Sequence, residues 1–415
     1  MKDYKILIKN SGFVHLWISQ LFSQITVNMM NFLILTRLFT VTGSSIATSL
    51  LWVAYALPSI FFGPIGAAAV DLVSRKKILV ATNFLQALTV FVFFLSQDTS
   101  IFLLYVVVLL YSFFNQFYIP AETSSLPSMV PKPLFVHANS LFFISQQASI
   151  ILGFGMAGIL QNMIGFNGSL ILCTVFLFIA FVSTTFLPEM KPSVKVPRSL
   201  DRLLITFFKS IYQGYKFIKE NKIILFPLLL LLGVQIGLAM ILVTIPLIAV
   251  EILKVSVSYA GLLIIVPAGI GATIGSFIIS KNLKLNWRKK FVIESSAAII
   301  AAALFLIVFL IPFLSITLRV ILEPFFVILI GLGFVGITIP AVTFLQESTP
   351  IWLRGRVFGN FWFLTTICTI FPVLFSGVFV EFLGVRSLLI IMMLAIIFVF
   401  YYSKKHGQEL IEKHF

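Results

Sequence analysis

Twelve apolar runs, each about as long as a lipid bilayer is thick, follow one another along this chain. They fall at 13–36, 46–70, 78–96, 101–121, 136–161 and 168–187, and again at 223–250, 258–280, 291–312, 317–343, 357–380 and 386–403. A bilayer span takes ~20 apolar residues. In lipid every backbone N–H and C=O needs an internal partner, so such runs fold as helices. Hydrophobic residues make up 60% of the 415 and charged residues only 10%, against roughly 25% charged in a soluble domain. No water-soluble fold of this size hides that much apolar surface. A soluble enzyme and a disulfide scaffold are therefore excluded. The two cysteines, Cys173 and Cys368, sit inside apolar runs and read as buried reduced thiols. The first run is too long and too rich in Gln and Asn for a cleavable leader.

The net charge of +15 invites a nucleic-acid partner, but the positions of the basic residues argue otherwise. With the N-terminus in the cytoplasm, 25 of the 29 Lys and Arg fall in inner segments. Arg37, Lys254, Arg319 and Arg386 fall outside. Such a bias orients membrane helices and predicts both termini in the cytoplasm.

The chain repeats at about half its length. Arg75-Lys76-Lys77 recurs as Arg288-Lys289-Lys290 at an offset of 213, and Ile119-Pro120-Ala121 as Ile339-Pro340-Ala341 at an offset of 220. Val130-Pro131 matches Thr349-Pro350, and Asn139 before Phe142 matches Asn360 before Phe363. The expected architecture is an all-α integral membrane protein of two pseudo-symmetric six-helix bundles, over 1–187 and 223–415. The polar segment 188–222 joins them, with an amphipathic surface helix over 199–221. Two parallel six-helix repeats form a transporter plan whose substrate path runs between the halves.

Several stretches carry a family resemblance. Gly66-Ala-Ala-Ala-Val-Asp71-Leu-Val-Ser-Arg75-Lys76-Lys77 resembles the loop between the second and third helices of the major facilitator superfamily, G-x-L-A-D-R-x-G-R-R/K. Asp71, Arg75 and Lys76 match; Leu72 and Ser74 depart from the pattern. Leu16 to Ser23, Ile119-Pro120-Ala121 with Leu126-Pro127 and Ala138-Asn139-Ser140, and Leu345-Gln346 through Arg354-Gly355-Arg356 are similar to the bacterial macrolide-efflux and siderophore-exporter branch. The resemblance implies a bacterial cytoplasmic-membrane exporter, monomeric, working by alternating access on a small molecule, with protons as the coupling ion. Tyr111 stands where many proton-coupled exporters of the family carry an arginine, and the run Gly153 to Gly158 lacks their Gly-Pro pair. Both departures weaken the proton-coupling expectation.

The resemblance also implies a gate. Asp71 would meet the start of the eleventh helix when the inner side is closed, with Arg75, Lys76, Arg354 and Arg356 around it and Glu122 joining the network. A carboxylate pairs well with a guanidinium and with a helix N-terminus.

In the first span Gln20, Gln24, Asn28 and Asn31 recur at steps of 4, 4 and 3, which places them on one helical face. Amides inside a membrane need water or partners, so this face reads either as a wet cavity wall or as interhelical hydrogen bonding. Asn115, Gln116, Gln146, Gln147, Gln235, Asn360 and the aromatic Trp362 are further wall candidates. His15 reads as structural. Ionisable residues within spans are functional hypotheses by default: Glu323, Glu294, and Arg37 at an outer margin. Glu323 is the leading proton-carrying candidate; its rival reading is a local ion pair with Arg319, four residues earlier. The first span holds no acidic residue, which favours a neutral or anionic amphiphile over a strongly cationic one.

A lipid flippase and a nutrient permease are the alternatives within transport. A membrane enzyme is disfavoured, because four dispersed histidines, at 15, 137, 406 and 414, form no metal or nucleophile–base cluster. The phosphate-binding pattern G-x-x-x-x-G-K-[ST] is missing from the sequence, which argues against an ATP-driven pump. No cofactor, metal or nucleic acid is expected.

Overall fold

A computed structural model describes residues 2–96, 100–190, 222–284 and 287–411, with Tyr212, Tyr215, Lys216, Ile218 and Lys219 between them. Most of the expected surface helix at 199–221 lies outside the described residues.

The helices follow the apolar runs. They are α1 (Lys2–Lys9), α2 (Ser11–Thr42), α3 (Ser45–Leu72), α4 (Arg75–Ser96), α5 (Ile101–Met129) and α6 (Phe135–Thr185), then α7 (Lys222–Leu247), α8 (Val266–Lys284), α9 (Lys289–Phe309), α10 (Ile316–Glu347) and α11 (Ile351–Ile411). Helix α1 carries no counterpart in the sequence reading. It buries Leu7 in an apolar cluster with Phe13, Leu16 and Tyr118, while Ile6 and Ile8 stay exposed.

Among the described residues ten helical stretches are long and apolar enough to cross a membrane. Two of them are double length. Helix α6 contains Gly165 at φ 73° and α11 contains Gly384 at φ 75°. A positive φ is open to glycine at little cost and breaks the helical path there. Each long helix thus divides into two spans, and twelve membrane segments result. Gly165 and Gly384 are 219 residues apart, in register with the sequence repeat. The turn between each fifth and sixth span of the repeat is thus a single glycine, with helix continuing on both sides.

The seventh and eighth spans meet through π-helical turns at Ile248–Leu253 and Gly261–Ile265, with Lys254 left-handed at φ 59° between them. Helices α8 and α10 touch at backbone distance. A Cβ on Gly271 would lie 2.0 Å from the carbonyl oxygen of Ile328, and one on Gly331 2.1 Å from that of Ala268. Small residues permit such contact where lipid supplies no hydrophobic drive for helix association.

Contacts divide the chain into two units. The first is Met1–Val41 with Leu51–Phe207; the second is Thr42–Leu50 with Phe208–Phe415. The start of α3 therefore clusters with the second unit and the rest of α3 with the first. Cys173 is buried, as expected. Cys368 is exposed instead: an apolar run in a membrane protein has a surface as well as a core, and the run alone does not say which way a residue faces.

Candidate transport site

The interior of the first unit holds several groups of polar side chains hydrogen-bonded between helices. Tyr111 of α5 donates its hydroxyl to Oδ1 of Asn31 on α2. The Tyr55 ring of α3 lies 6.0 Å from the Tyr111 ring, and Ser112 donates to the Tyr55 carbonyl at 2.6 Å. Gln86 of α4 donates to the Tyr111 carbonyl at 3.2 Å. Towards the inner end, Asn83 donates to Ser19 at 2.9 Å, and the Ser19 and Tyr118 hydroxyls are 3.1 Å apart. Helices α2, α3, α4 and α5 are thus joined by side-chain hydrogen bonds across an apolar bundle. Each such bond satisfies a group that would be costly alone.

The amide face of the first span resolves into two kinds of residue. Gln20 and Asn31 are buried, at 4% exposure each. Gln20 donates to the Phe142 carbonyl of α6 at 3.0 Å, and Asn31 takes the Tyr111 bond. Both act between helices. Gln24 and Asn28 are half-buried, and Asn28 donates to the Gln24 carbonyl at 2.9 Å. Asn115 is buried, while Gln116 is half-buried and donates to the Ser112 carbonyl at 3.1 Å. Gln146 and Gln147 are exposed, and Gln235 is half-buried.

At the inner end, Arg75 Nη1 donates to the Ser124 carbonyl at 2.9 Å and to Ser128 Oγ at 3.0 Å, fastening the start of α4 to the end of α5. Lys76 lies 4.0 Å from Glu189. Glu122 is buried, and its Oε1 has no hydrogen-bond partner among the described residues. The side chains of Asp71, Arg354, Arg356, Asn360 and Trp362 lie outside the described residues.

The second unit carries the remaining ionisable residues. Arg319 donates to three carbonyls: Leu314 at 2.9 Å, Ile252 at 2.8 Å and Pro312 at 2.6 Å. Among the described residues no ion pair joins it to Glu323; those present are Lys76–Glu189 and Lys289–Glu347. The local pair is corrected on this point, because the guanidinium fork serves the exposed carbonyls of the turns around it. Glu323 is 1% exposed, and its Oε2 has no hydrogen-bond partner among the described residues. Glu294 is half-buried in α9. In the first unit, Arg37 stands over the Phe166 ring at 5.4 Å, a cation–π contact.

The sequence reading missed Tyr55, Asn83 and Gln86. Asn83 and Gln86 are three apart in one span, the same signal that singled out the amides of the first span. Tyr55 needs a partner for its hydroxyl wherever it is buried.

Residues 16–371 match the Major Facilitator Superfamily, and the chain belongs to that family. It is an all-helical, multi-pass membrane transporter of small molecules, of the secondary class and not an enzyme. It is 28% identical over 197 residues to the uncharacterized MFS-type transporter YkuC of Bacillus subtilis, a match spanning 46% of this chain and 44% of that protein. It is 23% identical to macrolide efflux protein A of Streptococcus pyogenes over 90% of each chain. A solved structure of a mutant nucleoside transporter NupG superposes with a TM-score of 0.74 at 16% identity, over 95% of this chain and 100% of that one. This last likeness is one of fold.

Proposed function

We propose that the protein exports a small neutral or anionic amphiphile across the bacterial cytoplasmic membrane by alternating access, in exchange for protons carried by Glu323. The observation that carries the reading is Glu323 itself: a carboxyl group inside an apolar helix, 1% exposed, with one oxygen unpartnered among the described residues. Buried ionisable groups of this kind mark proton and substrate pathways in membrane proteins. The absence of an acidic residue from the first span supports the substrate class. Likeness to macrolide efflux protein A along 90% of the chain supports the direction and the amphipathic cargo. The half-buried Gln24, Asn28 and Gln116, beside the Tyr111–Asn31 hydrogen bond, are the proposed polar contacts of the first unit.

The test uses inside-out vesicles with an imposed proton gradient and a panel of labelled macrolides and siderophores. Gradient-driven accumulation of a panel member is expected, and Glu323→Gln should abolish it while preserving exchange of labelled for unlabelled substrate. Equal gradient-driven activity in the variant removes Glu323 from the coupling step. Wild-type accumulation that persists after the gradient is collapsed removes proton exchange altogether.

A further inference from the structure

Ser19, Ser23, Asn83, Tyr118 and Glu122 gather towards the inner end of the first unit, and each is at most 5% exposed. Asn83 Nδ2 donates to Ser19 Oγ at 2.9 Å, and that oxygen lies 3.1 Å from the Tyr118 hydroxyl. Helices α4, α2 and α5 thus meet through side chains at one point. Ser23 follows Ser19 by one turn on α2, and Glu122 follows Tyr118 by one turn on α5, so each shares its neighbour's face. The Glu122 charge acts on the Tyr118 hydroxyl.

This cluster holds more oxygen than the protein serves. Asn83 Oδ1, Ser23 Oγ and Glu122 Oε1 are buried without a hydrogen-bond partner among the described residues. The Asn83 amide spends its N–H group on Ser19, so what it leaves over is an acceptor. The Ser19 and Tyr118 oxygens have lone pairs to offer as well. Buried polar groups are nearly always satisfied, and each exception calls for a physical reason. Surplus acceptors around a carboxyl group call for a guest that is positive.

Glu122 is the single acidic residue of α2, α4 and α5. Among the described residues no ion pair reaches it. Arg75, at the start of α4, spends its Nη1 on the Ser124 carbonyl and Ser128. A proton on Glu122 would cancel the charge and leave Asn83 Oδ1 and Ser23 Oγ unserved. Water would serve those two and leave the charge. A small cation does both. Hard cations take oxygen ligands, and calcium takes ~6–8 of them, with affinity set by the count of charged ligands. One carboxylate among four neutral side chains matches a single positive charge.

We propose that Glu122, Asn83, Ser19, Ser23 and Tyr118 form a binding site for one sodium ion. Glu122 supplies the charge, Asn83 an amide oxygen, and the three hydroxyls complete the shell. All five residues belong to the first unit, so the site is complete within it. It is separate from Glu323, which lies in the second unit.

The test reads binding alone, with no gradient and no transported substrate, so it stands apart from the export reading. Purified full-length protein in detergent is titrated with radioactive sodium. In parallel its unfolding temperature is followed as sodium chloride replaces choline chloride at constant ionic strength, which holds screening fixed. Saturable uptake of about one ion per chain is expected, with a rise of about 2–4 °C in unfolding temperature. Glu122→Gln should weaken binding roughly tenfold or more. Ser23→Ala should weaken it severalfold and keep the fold, because its oxygen has no hydrogen bond to lose among the described residues. Glu251→Gln, in the second unit, should bind as the wild type does.

Uptake no greater than the choline background leaves the cluster to water and overturns the site. Wild-type affinity in folded Glu122→Gln overturns it too, as does a loss in Glu323→Gln that Glu122→Gln does not share. Should Glu122→Gln fail to fold, Ser23→Ala carries the test, and wild-type affinity there overturns the site.

Discussion

The hydroxyl of Tyr111 donates to the side-chain carbonyl of Asn31, tying the fourth span to the first inside the N-terminal unit. Both residues are buried, at 2% and 4% exposure. Tyr111 occupies the position where many proton-coupled exporters of the family carry an arginine. Here a neutral hydroxyl meets a neutral amide, and the position serves a hydrogen-bond network.

Tyr111→Phe deletes that donor and leaves the buried Asn31 Oδ1 without it. A buried unsatisfied group costs ~1–3 kcal/mol. A lower unfolding temperature in detergent is expected, with correct membrane insertion. Pairing it with Asn31→Leu should recover part of the loss, since residues in one network are not additive. A melting temperature equal to wild type for Tyr111→Phe would show that the bond contributes nothing.

Arg319 and Glu323 separate by mutation. If they formed a buried pair, removing either partner would cost ~3–5 kcal/mol. The structure instead gives Arg319 to the carbonyls of Ile252, Pro312 and Leu314. Arg319→Lys should therefore destabilise by about 1–3 kcal/mol, because an ammonium does not reproduce the guanidinium fork. Glu323→Gln should change thermal stability by less than about 1 kcal/mol, since the near-isosteric amide replaces a carboxyl that has no ionic partner. Equal and large losses in the two variants would restore the ion pair.

Arg75 distinguishes geometry from charge. Arg75→Lys keeps the positive-inside signal, so topology should be unchanged. It loses the reach from the start of α4 to Ser124 and Ser128. Transport in vesicles should fall severalfold while cysteine accessibility of the loops stays as in the wild type. Full activity in the lysine variant would mean that the loop needs only a charge.

The legible part of this protein is what lipid imposes. Long apolar runs have one backbone solution, so helices and their approximate ends could be read from residues alone, and the family match agrees with that architecture. Contacts that depend on which face meets which were not legible. Gly165 and Gly384 lie in stretches read as breaks, where the structure continues the helix on both sides. Arg319 lies four residues from Glu323 and was a candidate partner, yet the carbonyls around it come from a π-helical turn at Ile252 and a 3-10 turn at Pro312 and Leu314, which periodicity does not reveal. The Glu381–Ser44 contact joins residues 337 apart. Nothing local in either segment announces it, because the carboxylate serves a helix end and not an opposite charge.

The glycines of α8 and α10 give the sharpest contrast between position and composition. An ideal Cβ on Gly271 falls 2.0 Å from the Ile328 carbonyl oxygen, and one on Gly233 of α7 meets nothing within 4 Å. A backbone atom cannot turn aside as a flexible side chain does, so Gly271→Ala forces the two helices apart. Overpacking of this kind costs ~1–3 kcal/mol or more, and sharply reduced yield of folded protein is expected on size-exclusion chromatography. Gly331→Ala, aimed at the Ala268 carbonyl oxygen from 2.1 Å, should behave the same way. Gly233→Ala should be tolerated and raise stability by up to ~1 kcal/mol through helix propensity. The same chemical change then has opposite signs in helices of similar composition. A Gly271→Ala variant as stable as Gly233→Ala would mean that α8 and α10 do not touch backbone to backbone.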